Sequence, residues 1–240
     1  MHLKNAALSL LVIQSMMGFS QENKLEYSLD YSIGSSFRRV EGNSLILAFR
    51  EAERPITTQG LNLQVKYGLS ERLGFVSGLG YNQYGEKLIY NNLTFGNMID
   101  PRIGFVYDPT STSVPNSYEL KYVYQFLTLP LLMDYSIINS EKSGLTFQIG
   151  VTFNYLIGSK SVTNIDYSDG SKDRNSANYS FDSNDLNFAG LLGIFYKRKL
   201  GEKFFFKVGP QVNYFFSSIS GSDAIDHYPY RTSINLGIGF

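Results

Sequence analysis

The chain has 240 residues (27.1 kDa), with 21 Lys plus Arg balanced by 21 Asp plus Glu, and neither Cys nor Trp. Zero net charge removes the basic footprint of a nucleic-acid binder, and the absence of Cys excludes a disulfide framework and an acylated lipoprotein N-terminus. Charged residues reach only 18% while aromatics reach 15%, against about 25% charged in an ordinary soluble domain, a deficit that points towards lipid.

The first element is a processing segment. Lys4 gives a thin positive region, residues 6–17 an apolar stretch, and Gly18-Phe19-Ser20 small residues at the −3 and −1 positions of a cleavage site before Gln21. Residues 1–20 therefore read as a secretory signal and residues 21–240 as one domain, with no linker suggesting a second. Beyond the signal, no run approaches the ~20 apolar residues of a spanning helix, and mean hydropathy is −0.14.

From residue 25 the chain alternates at period two, the pleat of a strand with one apolar face. Strands are expected at 25–36 (Leu25, Tyr27, Leu29, Tyr31, Ile33 on one face), 57–69, 73–84, 118–136, 145–155, 185–198, 204–214 and 230–240. In the last, Tyr230, Thr232, Ile234, Leu236, Ile238 and Phe240 oppose Arg231, Ser233, Asn235, Gly237 and Gly239. All are long enough for a tilted membrane strand, which needs about 9–11 residues. Connections alternate between long (37–56, 85–117, 158–184, 217–229) and short (70–72, 137–144, 200–202), as in outer-membrane barrels with short periplasmic turns and long extracellular loops. The expected fold is thus all-β: an eight-stranded antiparallel up-and-down transmembrane barrel, both termini periplasmic.

A soluble ligand-carrying barrel would alternate in the same way, so the outer face needs its own argument. An eight-stranded interior has room only for its own side chains or one small ligand. The bulky Phe, Tyr, Leu and Ile residues of the apolar faces do not fit there, and Gly, Asn, Gln and Ser do. Tyr27, Tyr67, Tyr81, Tyr135, Tyr155, Tyr196, Tyr214 and Tyr230 suit interfacial girdles. Counting pleats from the short turns puts Glu26, Lys66, Asp134, Lys197 and Lys207 inward near the periplasmic end. Asp30 is expected higher and Arg231 near the opposite mouth. Mixed signs favour a salt-bridged lumen over a wide pore, because unpaired buried charges cost several kcal/mol.

The segment Tyr124-Gln125-Phe126-Leu127-Thr128-Leu129-Pro130-Leu131-Leu132-Met133-Asp134-Tyr135 resembles the mid-chain strand of the small outer-membrane β-barrel proteins of the Bacteroidetes, the porin-family or PorT-like barrels, with Tyr124, Leu129, Pro130, Leu131 and Tyr135 carrying the match. The terminal strand with Leu236, Ile238 and Phe240 is similar to the signal read by the barrel-insertion machinery. Gln125-Phe126-Leu127 departs from the alternation and reads as a bulge. The resemblance implies an integral outer-membrane protein with a structural or interaction role. Outer-membrane lipid, lipopolysaccharide and envelope or secretion proteins are the implied partners; cofactor, metal and nucleic acid are not.

Candidate chemistry is sparse. A small-solute porin is the alternative function, and a rim hydrolase would rest on His227 beside Asp226, with Ser222 and Asp223 nearby. Without a Gly-x-Ser-x-Gly turn to hold a nucleophile, that cluster reads as solvated loop. Asp166, Asp169, Asp173, Asp182 and Asp185 offer oxygen ligands of the kind Ca²⁺ takes, but at no calcium-loop spacing, so no catalytic or metal residue is assigned.

Overall fold

The computed structural model describes residues 25–42, 53–91, 115–179, 181–201, 203–222 and 225–240. The expected signal with its cleavage site, and Asp223 beside the His227 cluster, lie outside them. Among the described residues no helix is long and apolar enough to cross a membrane.

Nine strands follow in order: β1 (Leu25–Gly42), β2 (Glu53–Gly68), β3 (Leu73–Asn91), β4 (Pro115–Asn139), β5 (Ser143–Tyr167), β6 (Lys172–Asn178), β7 (Leu186–Lys199), β8 (Phe205–Phe215) and β9 (Ile225–Gly239). Eight of them close a ring, β1-β2-β3-β4-β5-β7-β8-β9 and back to β1, every pair antiparallel. Closure is sealed at the chain's end, where Tyr27 and Phe240 exchange both backbone hydrogen bonds at 2.9 Å. A closed ring leaves no unpaired wall strand, the condition for a sheet to sit in lipid. The short connections are tight: Leu69 N–H donates to the Leu73 carbonyl and Leu200 N–H to that of Phe204. Gly201 supplies the positive φ (100°) that the second turn needs.

Alternation sorts the wall as its period requires. Large apolar residues are exposed on the outer face along 25–33, 61–69, 75–79, 127–138, 149–157, 186–196, 204–216 and 234–240. This is a continuous lipid-facing band. Stacked rings edge it, Tyr27 on Phe240 below (5.6 Å) and Phe37 on Tyr230 above (5.4 Å).

Two expectations are corrected. The long connections are partly strand: β4 and β5 are 25 residues each, roughly 80 Å at ~3.3 Å per residue, far more than a bilayer needs at any ordinary tilt. Their upper halves, with upper β3, rise above the apolar band, and β6 pairs with upper β5 outside the ring (Lys160↔Asn178 to Asp166↔Lys172). The bulge also lies elsewhere. Tyr124, Phe126 and Thr128 all point inward in unbroken alternation, and the extra residue is Ile157 on β5, since Gln125 pairs with Gly158 but Phe126 with Leu156.

Candidate functional site in the lumen and its outer mouth

Inward positions on strands far apart in sequence meet across a narrow interior. In the lowest layer Lys197 Nζ lies 2.6 Å from Glu26 Oε2 and Lys207 Nζ 2.9 Å from Asp30 Oδ2, and Lys66 pairs with Asp134. Gln148 donates to Asp134 Oδ2 (2.9 Å) and Lys207 also to Gln64 Oε1 (3.2 Å). Phe205 lies under the Lys197 ammonium at 3.8 Å, a cation–π contact. A cavity of only about 30 Å³ remains among these groups, space for about one water. Asp30 thus belongs to the same layer as Lys207, lower than pleat counting put it.

Above them sits Arg231, 1% exposed. Its Nη2 donates to Ser32 Oγ (2.6 Å) and Ser32 O (3.1 Å), and Nη1 to Asn82 Oδ1 (3.1 Å). Asn82 continues to Asn62 and Thr128, and Thr128 to Asn154. Arg231 therefore lies inside a polar chain crossing the lumen, and the mouth proper is above it. A Cβ at Gly60 would strike Asn82 Oδ1 and crowd Ser32 and Arg231, so the missing side chain makes room for the guanidinium.

An apolar stopper follows. Tyr84, Phe126, Phe215, Ala189 and Ile219 are each at most 1% exposed. Tyr84 meets Phe215 edge-on at 4.9 Å and Phe126 at 5.7 Å, the preferred T-shaped geometry. Over it two segments join: Ser183 bridges Ser220, Asn184 Nδ2 donates to the Ser218 and Ser220 carbonyls, and Phe181 packs on Tyr124.

Beyond the end of the apolar band, inward Arg38 gathers the mouth charges. Its Nη2 is 2.6 Å from Glu53 Oε1 and its Nη1 3.3 Å from Glu86 Oε1, which also accepts from the Tyr124 hydroxyl at 3.0 Å. Arg38 Nη1 also lies 3.3 Å and 3.4 Å from the two ring nitrogens of His227. Burial, opposed by Arg38 and the Tyr124 hydroxyl, pushes Glu86 up to about 7; burial together with the Arg38 charge pulls His227 down to about 4. Glu86 Oε2 has no hydrogen-bond partner, so little offsets the burial of that oxygen. His227 is thus held against a guanidinium, and Ser218 Oγ accepts from its backbone N–H rather than facing its ring.

Arg38, Glu53 and Glu86 carried no signal in the sequence because they fall in segments expected to be loops. Continuing the inward parity of β1 through residue 38 and of β3 through residue 86 finds two of them. Of the family-like motif, Tyr124 and Pro130 face inward and are buried, whereas Leu129 and Tyr135 are exposed to lipid and Leu131 is half-buried. Leu236, Ile238 and Phe240 are all exposed on the outer face. Asp166 pairs with Lys172 and Asp169 Oδ1 accepts from Ser171; no metal-binding cluster occurs among the described residues.

A closed antiparallel ring, apolar outside and polar within, defines an outer-membrane β-barrel. The chain belongs to the family described as outer membrane protein beta-barrel domain, matched over residues 58–219, and its location is the outer membrane. Similar solved structures include a major outer membrane protein from Thermus thermophilus (12% identity, 90% of this chain and 99% of that one, TM-score 0.40). Neisserial surface protein A is another (11%, 90% and 99%, 0.35), as is Ail, the attachment invasion locus protein of Yersinia pestis (12%, 88% and 97%, 0.29). No curated protein matches.

Proposed function

We propose that this barrel is a closed, non-enzymatic outer-membrane protein that acts through its extracellular surface, as a structural or interaction component of the envelope in the manner of PorT-like barrels. The observation that carries the reading is the filled lumen: ion pairs below, the Arg231 chain at mid-height and the Tyr84, Phe126, Phe215 and Ile219 stopper above. A solute path would have to break all three. The extended walls of β3, β4 and β5 give the barrel a surface above the bilayer for envelope or secretion proteins. The chain termini and the short turns at 70–72 and 200–202 are periplasmic in this reading, supported by the alternation of connection lengths. Leu236, Ile238 and Phe240, outward on the strand that closes the ring, are the residues offered to the insertion machinery.

Planar-bilayer recording of the purified protein tests the reading. Silence is the expected result, together with specific envelope proteins retained through gentle solubilisation. A stable, wide conductance would overturn it in favour of a small-solute channel.

A further inference from the structure

We propose that the outward basic row Lys87, Lys121 and Lys160, with the cavity beside it, is a site for the phosphorylated headgroup of an outer-leaflet glycolipid. The proposal rests on the orientation given above, with upper β3, β4 and β5 on the outer side of the membrane.

Register creates the row. Lys87 stands directly opposite Lys121 across β3 and β4, and Lys160, opposite Val123, is the diagonal neighbour of Lys121 across β4 and β5. Diagonal positions are ~7–8 Å apart, close enough for two ammonium groups to bracket one phosphate. Like charges placed directly opposite destabilise a sheet, so the arrangement calls for an anion. The nearby carboxylate is already committed: Glu119 holds Lys87 at 2.9 Å and accepts from Asn164 at 3.0 Å. Among the described residues Lys160 has no carboxylate partner, and Lys121 feels Glu119 only from beyond ion-pair distance, sharing it with Lys87. On the opposite wall the outward Arg39 is paired with Glu41.

Height and shape select the ligand. All three lysines share the face of the lipid-exposed residues and lie above their upper limit, Lys160 closest to it, above Ile157 on β5, and the Lys87–Lys121 pair higher, above Leu127 on β4. At this level β5 leaves its partner β7 after Tyr155↔Leu186 and takes up β6 at Lys160↔Asn178. The fork holds a cavity of about 440 Å³ lined in part by Gln125, Ile157, Ser159, Lys160 and Asn178. Below it Tyr155 and Ile157 are each 50% exposed. Apolar surface below, the Gln125 and Asn178 amides beside the cavity and the cations at and above them are complementary to acyl chains, sugar and phosphate in that order. A soluble protein partner would not require the lipid-facing lower half.

The test uses the purified mature barrel in detergent, titrated with bisphosphorylated lipid A, with the same lipid after phosphatase treatment, and with acyl-free glucosamine phosphate, bound lipid being read by native mass spectrometry. Binding of the phosphorylated lipid is expected to fall at least tenfold on dephosphorylation and in Lys121→Gln/Lys160→Gln, to persist in Arg39→Gln, and to resist competition by the acyl-free sugar. Undiminished binding in the lysine variant or to the dephosphorylated lipid would overturn the proposal, and effective competition by the acyl-free sugar would make the ligand a soluble phosphate instead. Heat-modifiable migration confirms that the variants fold, and the single substitution Lys160→Gln replaces the pair if the double variant does not. Binding in detergent is independent of orientation in the cell, so failure here is distinguishable from a reversed topology, which surface tagging reads separately.

Discussion

Lys207 on β8 and Asp30 on β1 lie 177 positions apart and meet inside the barrel at 2.9 Å, with side chains only 8% and 4% exposed. Neither strand pairs with the other, because β9 lies between them. Their contact therefore reaches across the lumen rather than along the wall, and the same holds for Glu26 with Lys197 and for Lys66 with Asp134. Such pairs tie non-adjacent strands together and fill the space through which a solute would pass.

Breaking the Lys207 pair leaves a buried carboxylate with one oxygen, Asp30 Oδ1, already without a partner. Lys207→Met is expected to cost about 3–5 kcal/mol, the usual penalty for stranding a buried charge. Adding Asp30→Leu restores most of that loss, because replacing both partners with apolar groups removes the desolvation cost. Urea unfolding of both variants in the same detergent checks it; a double variant no more stable than Lys207→Met contradicts this account.

Gly237 is the seat of that pair. A Cβ there would collide with Asp30 Oδ1 and press on Lys207 Cε at 3.2 Å. Both neighbours are enclosed, so neither moves aside freely. Gly237→Ala is expected to lose about 1–3 kcal/mol, the range for overpacking a filled interior. Gly170→Ala, with nothing within 4 Å of the added carbon, pays only for its positive φ of 82°. A smaller loss for Gly237→Ala than for Gly170→Ala, in the same unfolding assay, would contradict the filled lumen.

The mouth predicts opposing pH responses. Glu86 is raised from 4.5 to about 7, so its contribution to stability is complete below its unfolded value and is lost as pH rises through about 7. His227 is lowered from 6.5 to about 4, so its contribution is complete above 6.5 and is lost as pH falls through about 4. Between 4.5 and 6.5 the two slopes cancel. Relative to wild type, Glu86→Gln should gain stability as pH rises over that window, and His227→Gln should gain it as pH falls. Differences from wild type that stay flat across that window would show that neither group has the stated protonation in the folded barrel. Arg38, Glu53, Tyr124 and Asp226 surround the pair; Arg38 stays charged throughout.

Period-two alternation made the barrel legible wherever one face meets lipid and the other meets the lumen, as in β9 from Tyr230 to Phe240. It failed above the band. Upper β3 and β5 have water on the outside and mixed contacts within, so Glu86-Lys87-Leu88-Ile89 and Asn164-Ile165-Asp166 carry no alternation and read as loop although they are paired. The phase error at Gln125 has a related cause. Tyr124 and Phe126 belong to the interior stopper, and period alone does not separate an aromatic facing the lumen from one facing lipid. The true extra residue, Ile157, hides beside the equally apolar Leu156. Parity identified the inward charges near the short-turn end, but not their partners: Glu26 stands directly opposite Lys66 in register, yet each pairs with a group on another strand.

The last prediction concerns orientation. The β5–β6 hairpin turns at residues 168–171, where Gly170 sits at the tip in open space, and the opposite end of the barrel turns at Gly201, also open. Both positions accept an inserted epitope without disturbing a wall hydrogen bond. Exposed tips of this kind tolerate insertion and are cut first by proteases. On intact cells the epitope at 170 should bind antibody and be lost to external protease, while the epitope at 201 becomes reactive only after the outer membrane is permeabilised. The two insertions control for each other, since each must fold to the same heat-modifiable species before its accessibility is read. Labelling at 201 but not at 170 on intact cells would invert the barrel, place the Lys87, Lys121 and Lys160 row against the periplasmic leaflet, and remove the extended walls from the cell surface.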